Sequence, residues 1–323
     1  MTRTLDVADL VERAARADPR AVARLISLVE DASPALREVM AALAPATGSA
    51  HVVGLTGSPG VGKSTTTSAV VTALRHNGSR VGVLAVDPSS PFSGGALLGD
   101  RVRMQEHALD PQVYIRSMAS RGHLGGLSWS APQALRVLDG AGCDVVLVET
   151  VGVGQSEVEV VALADTTVVL VAPGMGDGIQ AAKAGILEVA DVLVVNKADR
   201  DGAESTVREL RHMLALGSPR APGDWRPPVI ATVASSGQGV DELMGALAKH
   251  REWLQVSGAG RTRRLARASA EIEAIALRVL RSRLADVPRG EGLDALAAQV
   301  ADGATDPYGA ADVLVEALTT KQG

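Results

Sequence analysis

From residue 51 onward, short runs of continuous apolar residues alternate with longer stretches of helical periodicity, and few folds accept that alternation. The apolar runs are His51 to Thr56, Arg80 to Val86, Gln112 to Ile115, Val145 to Glu149, Thr166 to Val171, Val192 to Val195 and Val229 to Val233. Their unbroken, β-branched character fits strands buried on both faces, as in a parallel sheet covered by helices. Helices are expected between them near 63–76, 129–140, 178–189, 204–216 and 239–253. The pattern predicts a doubly wound, mostly parallel α/β domain.

The flanks read differently. Asp18-Pro19 and Ser33-Pro34 each set a capping side chain before a proline suited to a first helical turn. Val22, Leu25, Ile26 and Val29 follow at helical spacing. Ser257 to Arg261 is a Gly-containing break, after which Leu265, Ala268, Ile272, Ile275 and Val279 line one helix face. That stripe suits helix packing within the chain or across a dimer. Arg261, Arg263, Arg264 and Arg267 suit either a solvated face or a patch for an anionic partner. Three divisions are expected: an N-terminal helical extension over 1–48, a core domain over 49–256 and a C-terminal helical arm over 257–323.

Composition removes several function classes. Six aromatic residues in 323 cannot build the repeated base-stacking platforms of single-strand nucleic-acid binders. A net charge of −5 argues against broad phosphate-backbone binding, so no nucleic-acid partner is expected. The lone Cys143 excludes an intrachain disulfide, and its apolar neighbours suggest a packed thiol. No apolar run has membrane-spanning length, and the N-terminus lacks the apolar core of a signal peptide. The expectation is a cytoplasmic protein with no membrane partner.

Three motifs carry chemistry. Gly57-Ser58-Pro59-Gly60-Val61-Gly62-Lys63-Ser64 matches G-x4-G-K-[ST] between a strand and a helix. Glycines let the backbone aim its N–H groups at phosphate oxygens, and the helix adds its positive end. Lys63 supplies a compact charge for the β- and γ-phosphates, and Ser64 a hydroxyl for Mg²⁺. Asn196-Lys197-Ala198-Asp199 follows the strand Val192 to Val195. A carboxylate at Asp199 can accept from the guanine N1–H and 2-amino groups, a donor pair adenine lacks. Together the two motifs specify a GTP-binding protein.

The third motif, Glu149-Thr150-Val151-Gly152, stands where GTPases usually carry Asp-x-x-Gly. The acid can reach the Mg²⁺ shell, and the Gly152 amide can sense the γ-phosphate as a switch. Gln155 either orients the attacking water or is a solvated loop residue. Asp87 and Asp100 are outer-shell Mg²⁺ candidates, against readings as a turn cap and a surface loop residue. The segment Val233-Ala234-Ser235 falls where a backbone amide meets the guanine O6. Two Gly-rich stretches, Arg116 to Gly126 and Pro173 to Asp177, are candidate functional loops.

On these residues the chain resembles the MeaB/ArgK family, GTPase chaperones of adenosylcobalamin-dependent methylmalonyl-CoA mutase and related acyl-CoA mutases. The resemblance runs through Gly57 to Thr65, Val86 to Pro91, Gly99 to Met104, Arg116 to Gly126, Glu149 to Glu157 and Asn196 to Asp199. It implies a P-loop GTPase core with N-terminal helices and a C-terminal dimerising arm, hence a homodimer. It implies Mg²⁺-dependent GTP hydrolysis to GDP that gates cofactor loading and protects the mutase. Lys63 and Ser64 would then hold phosphate and Mg²⁺, Asp87, Asp100 and Glu149 would form the metal and switch carboxylates, and Asp199 would select guanine. Catalysis would fall to Lys63, Asp100, Glu149 and Gln155.

The chain departs from the family at two places. Gly176-Asp177-Gly178-Ile179-Gln180-Ala181 stands for the usual Gly-Asp-Glu-Leu-Gln-Gly, which bears on coupling to the mutase rather than on GTP binding. Val233-Ala234-Ser235 replaces a Ser-Ala-basic triplet. The competing expectation is a P-loop kinase of the ArgK transport-system type, which would need an acceptor pocket and a base beside the γ-phosphate.

Overall fold

The computed structural model describes residues 6–88, 104–120, 130–150, 162–174, 189–217, 221–285 and 292–319. Three helices open the chain: α1 (Val7–Ala15), α2 (Pro19–Glu30) and α3 (Leu36–Leu43). Asp18 caps α2 as expected, its carboxylate accepting from the Arg20 and Ala21 amides, with Pro19 in the first turn. Ser33 does not cap α3. Its hydroxyl accepts from the Ala35 amide at 3.3 Å and its carbonyl from the Leu36 amide at 2.9 Å, a turn that delays the helix to Leu36.

Strands and helices then alternate. They are β1 (His51–Thr56), α4 (Lys63–His76), β2 (Val81–Pro88), β3 (Val113–Ser120), α5 (Ala131–Gly140), β4 (Val145–Thr150), β5 (Thr166–Val171), β6 (Val192–Asn196), α6 (Ala203–Leu216), β7 (Val229–Thr232) and α7 (Val240–Val256). The strands form one seven-stranded sheet in the order β3-β2-β4-β1-β5-β6-β7. Every neighbouring pair is parallel. The doubly wound α/β expectation therefore holds. The expected helix near 178–189 falls outside the described residues for all but its last position, and residues 121–126 and 176–181 fall outside them entirely.

One boundary differs. Arg116 to Ser120, read from the sequence as the start of a Gly-rich loop, continue β3, paired with β2 as far as Pro88↔Ser120. Met118 is fully buried and Arg116 pairs with Glu30 of α2, so this polar stretch has both packing and a partner.

Alternate side chains serve opposite faces of the sheet. Val52, Leu84, Val146 and Val148 join α1, α2, α3 and α5 in one aliphatic cluster. Val53, Leu55, Val83, Leu147 and Leu170 join α4 and α7 in another. The N-terminal helices thus share a core with the sheet. Cys143 lies in the first cluster, where burial pushes its thiol up to about 12.

The chain divides into two compact units, Met1–Arg264 and Leu265–Gly323. The expected break near 257 is a short link, with Gly258 at φ +76°, before α8 (Ala259–Ala285). The second unit holds most of α8 with α9 (Leu293–Ala301) and α10 (Pro307–Thr319). Among the described residues, no helix is long and apolar enough to cross a membrane.

Candidate nucleotide site

A parallel sheet gathers the carboxyl ends of its strands along one edge, where loops can build a site. The loop from β1 to α4 stands at that edge beside the ends of β4 and β5. Gly57 has φ +142°, and a Cβ there would lie 2.2 Å from the Leu170 carbonyl oxygen. Gly62 has φ +96°, and its Cβ would lie 2.3 Å from Asn196 Nδ2. Both positions exclude larger residues on backbone angle and on space. Gly62 precedes α4 without offering a side-chain cap, and this end of the helix is the one that favours an anion.

Lys63 is the first residue of α4 and is buried. Its ammonium donates to Gly57 O at 2.6 Å and Ser58 O at 3.3 Å, so the side chain curls over the loop it follows. Ser64 is buried beside it, and Thr65 is exposed. Thr66 and Thr67 bond back to the carbonyls of Gly62 and Lys63, each at 3.0 Å. Thr67 also pairs with Glu149, a fully buried carboxylate flanked in the sheet by Leu55 and Ala85. The longer side chain of Glu thus meets α4 one turn beyond Lys63.

The Asn196–Asp199 segment is stitched to this loop. Asn196 Nδ2 donates to Val61 O at 2.8 Å. Its Oδ1 accepts from the Thr232 hydroxyl and the Ala234 amide, both at 3.1 Å. Lys197, at φ +58°, donates to Gly60 O at 2.5 Å. Asp199 is exposed beyond them. Val233 and Ala234 are buried and Ser235 is exposed. Within the 233–235 segment, where a backbone amide is expected to meet guanine O6, the Ala234 amide donates to Asn196.

The structure brings together Gly57 to Thr65, Glu149, Asn196 to Asp199 and Val233 to Ser235. The backbone of Asp87 lies in β2, next to Glu149's strand, but its side chain lies outside the described residues, as do Asp100, Gly152 and Gln155 entirely. Among the described residues, no three His, Cys, Asp or Glu converge on a metal position. The oxygen donors present fit Mg²⁺, which takes one or two protein oxygens plus phosphate and water.

Sequence reasoning missed the clasping role of Asn196 and Thr232, because it depends on strand order. It also missed a polar cluster at the opposite, amino-terminal edge of the sheet. There His51 Nε2 and His250 Nδ1 each lie 2.7 Å from the Thr166 hydroxyl. Asp191 receives both terminal nitrogens of Arg263 at 2.8 Å. His250 Nε2 stands 3.2 Å from Asp191 Oδ1 without hydrogen-bond alignment. Arg264 Nε lies 3.5 Å from Asp165. Arg263 and Arg264 thus pair with carboxylates of their own unit.

Comparison with known proteins accords with this geometry. The family described as methylmalonyl Co-A mutase-associated GTPase MeaB matches residues 22–289. A candidate GTPase of Pyrococcus abyssi is 47% identical over 312 residues, covering 96% of each chain. The Escherichia coli GTPase ArgK is 39% identical over 265 residues, covering 80% of each. A crystal structure described as an LAO/AO transport system kinase superposes with a TM-score of 0.70 at 29% identity, covering 98% of each chain. With a phosphate loop clasped by an Asn-Lys-Ala-Asp segment and a family match over most of its length, the chain belongs to the MeaB family of methylmalonyl Co-A mutase-associated GTPases.

Proposed function

We propose that the protein binds GTP with Mg²⁺, hydrolyses it to GDP, and uses that cycle to gate adenosylcobalamin loading and protect a cobalamin-dependent acyl-CoA mutase. Methylmalonyl-CoA mutase is the leading partner, on the family's name. The observation that carries the nucleotide part is the clasp of Asn196 and Lys197 on Val61 O and Gly60 O. It commits Asn196 and Lys197 to the loop and leaves the exposed Asp199 carboxylate for the guanine N1–H and 2-amino group.

Lys63 and the first-turn amides of α4 stabilise the negative charge of the β- and γ-phosphates. Lys63 reaches them by exchanging its bonds to Gly57 and Ser58 for bonds to phosphate oxygen. Ser64 is the proposed Mg²⁺ ligand, with Asp87, Asp100 and Glu149 as carboxylates around it; the ion neutralises charge on the phosphate oxygens. Gln155 is the proposed orienter of water, and the Gly152 amide the sensor of the γ-phosphate. Asn196 and Lys197 hold the loop, and the 233–235 segment closes over the base. The 257–323 arm is the proposed homodimer contact.

Calorimetry with GTP and ATP tests the reading. GTP should bind at least tenfold more tightly, about 1.4 kcal/mol, and Asp199→Ala should erase the difference. Lys63→Ala should abolish tight triphosphate binding. Hydrolysis should be slow alone and faster with the mutase. Equal affinity for the two nucleotides would remove the guanine assignment, and phosphate transfer to a small acceptor in place of hydrolysis would favour a kinase.

A further inference from the structure

A cleft of 880 Å³ opens beside α4, between that helix and the start of α7. Its lining includes Thr65, next to Ser64, and Ala234 with Ser235, residues from both halves of the nucleotide site. The ribose joins a nucleotide's phosphates to its base, so one with phosphates at Lys63 and base at Ala234 would set its ribose between those two groups. Glu106 lines the same cleft, from a short 3-10 turn (Gln105–His107) packed on α4.

Glu106 is held there by buried groups. The Ser68 hydroxyl donates to Glu106 Oε1. Ser68 is 5% exposed, and His107, 8% exposed, sets its Nε2 3.0 Å from Ser68 Oγ and 3.2 Å from Ser68 O. Ser68 lies one helical turn beyond Ser64, so Glu106 is fixed one turn below the phosphate end. Its own side chain remains 65% exposed at the cleft. A carboxylate is an acceptor only. The ribose is the part of a nucleotide that brings donors to this place, as a vicinal pair of hydroxyls. An acidic residue takes the same 2′-hydroxyl in dinucleotide-binding folds. The second acid of the cleft, Asp241, is the less suited partner, because it sits in the first turn of α7, where a carboxylate already answers the helix's positive end.

We propose that Glu106 is a specificity-determining residue that reads the ribose of the bound guanine nucleotide, accepting hydrogen bonds from its 2′- and 3′-hydroxyls. The inference rests on the GTP reading above. It makes the protein selective for ribonucleotides over deoxyribonucleotides, a preference that neither the phosphate loop nor Asp199 can supply.

The test is calorimetry of the full chain with GDP, 2′-deoxy-GDP and 3′-deoxy-GDP, for the wild type, Glu106→Gln and Glu106→Ala. The wild type should bind GDP about tenfold more tightly than either deoxy analogue, the worth of one hydrogen bond to a charged group. In Glu106→Ala the three affinities should converge while guanine remains preferred over adenine. Glu106→Gln keeps an oxygen for Ser68 and should give an intermediate ratio. A thermal melt of each variant controls for folding, which a merely structural glutamate would disturb without changing the ratio. Equal binding of GDP and 2′-deoxy-GDP by the wild type would overturn the ribose assignment and leave the GTP reading intact. An unchanged ratio in Glu106→Ala would do the same. Failure of the wild type to bind GDP at all would remove both.

Discussion

Asn196 divides one amide group among three partners, and that sharing governs the site. Its Nδ2 holds the phosphate loop at Val61, and its Oδ1 holds Thr232 and Ala234. Asn196→Ala would strand a buried carbonyl, a hydroxyl and an amide. The expected loss of stability is about 2–3 kcal/mol, since each unpaired buried group costs ~1–3 kcal/mol and relaxation recovers part. Urea denaturation measures it, and GTP affinity should fall more than tenfold in the same variant. Lys197→Ala should cost less stability, because its bond to Gly60 is exposed. A stability loss equal to that of Asn196→Ala would contradict that ranking. The two motifs were legible in the sequence because each is a local pattern whose spacing carries its chemistry. The bond between them spans 135 residues and exists only because β5 alone separates β6 from β1. Nothing in the local sequence encodes that neighbourhood. Glu106 had no signal either, being one acid in a stretch without periodicity.

At the scale of elements, strands were read closely where they were continuously apolar. β1 and β5 fall at their expected bounds, because buried central strands carry an unbroken signal. The edge strand β3 was cut short, since its polar residues find partners elsewhere, Arg116 on α2 above all. The amino ends of the strands were opaque for the same reason. Burial pushes the His51 imidazole down to about 4, helped by the charges of Arg251 and Arg264 and opposed by Asp165. The fold thus favours neutral His51, whereas an unfolded histidine titrates near pH 6.5. Between those values the unfolded chain binds more protons, so this stability is present above about pH 6.5 and drains away as pH falls toward 4. Asp191 adds a second loss at lower pH. Burial raises its carboxyl, but the contacts with His250 and Arg263 outweigh burial and leave it lowered. Its contribution is present above the ordinary carboxylate range and disappears as pH falls below it. Urea midpoints at pH 7 and pH 5 should show a loss of about 2 kcal/mol from His51. His51→Gln should flatten the dependence, and a slope that survives the substitution would reject histidine as its source.

At the scale of the whole molecule, the scarcity of aromatics turned out to describe the interior. Both main clusters are built mostly from Val, Leu, Ile and Ala, with Met104, Met118 and the single buried tyrosine Tyr114 the bulkier members. The second unit shows what the composition could not. Leu265 is 58% and Ile272 68% exposed on α8, with Ile275 of the same expected face also exposed. The periodicity of this stripe was legible in the sequence, but its occupant was not, because a periodic face looks the same whatever covers it. An exposed apolar helix face of this kind is suited to association. Under the proposed dimer, light scattering should return twice the chain mass, and Ile272→Asp combined with Leu265→Asp should return one. GTP affinity should stay within about twofold, since neither residue belongs to the nucleotide groups. A monomeric wild type would end the proposal. The clasp at Asn196 also has a consequence for molecules smaller than a nucleotide. Because one side chain braces both the phosphate cradle and the strand end beside the base, ordering either half prepares the other. Guanosine and pyrophosphate, offered as separate fragments, should therefore help one another bind, and the intact nucleotide should exceed the sum of their independent affinities.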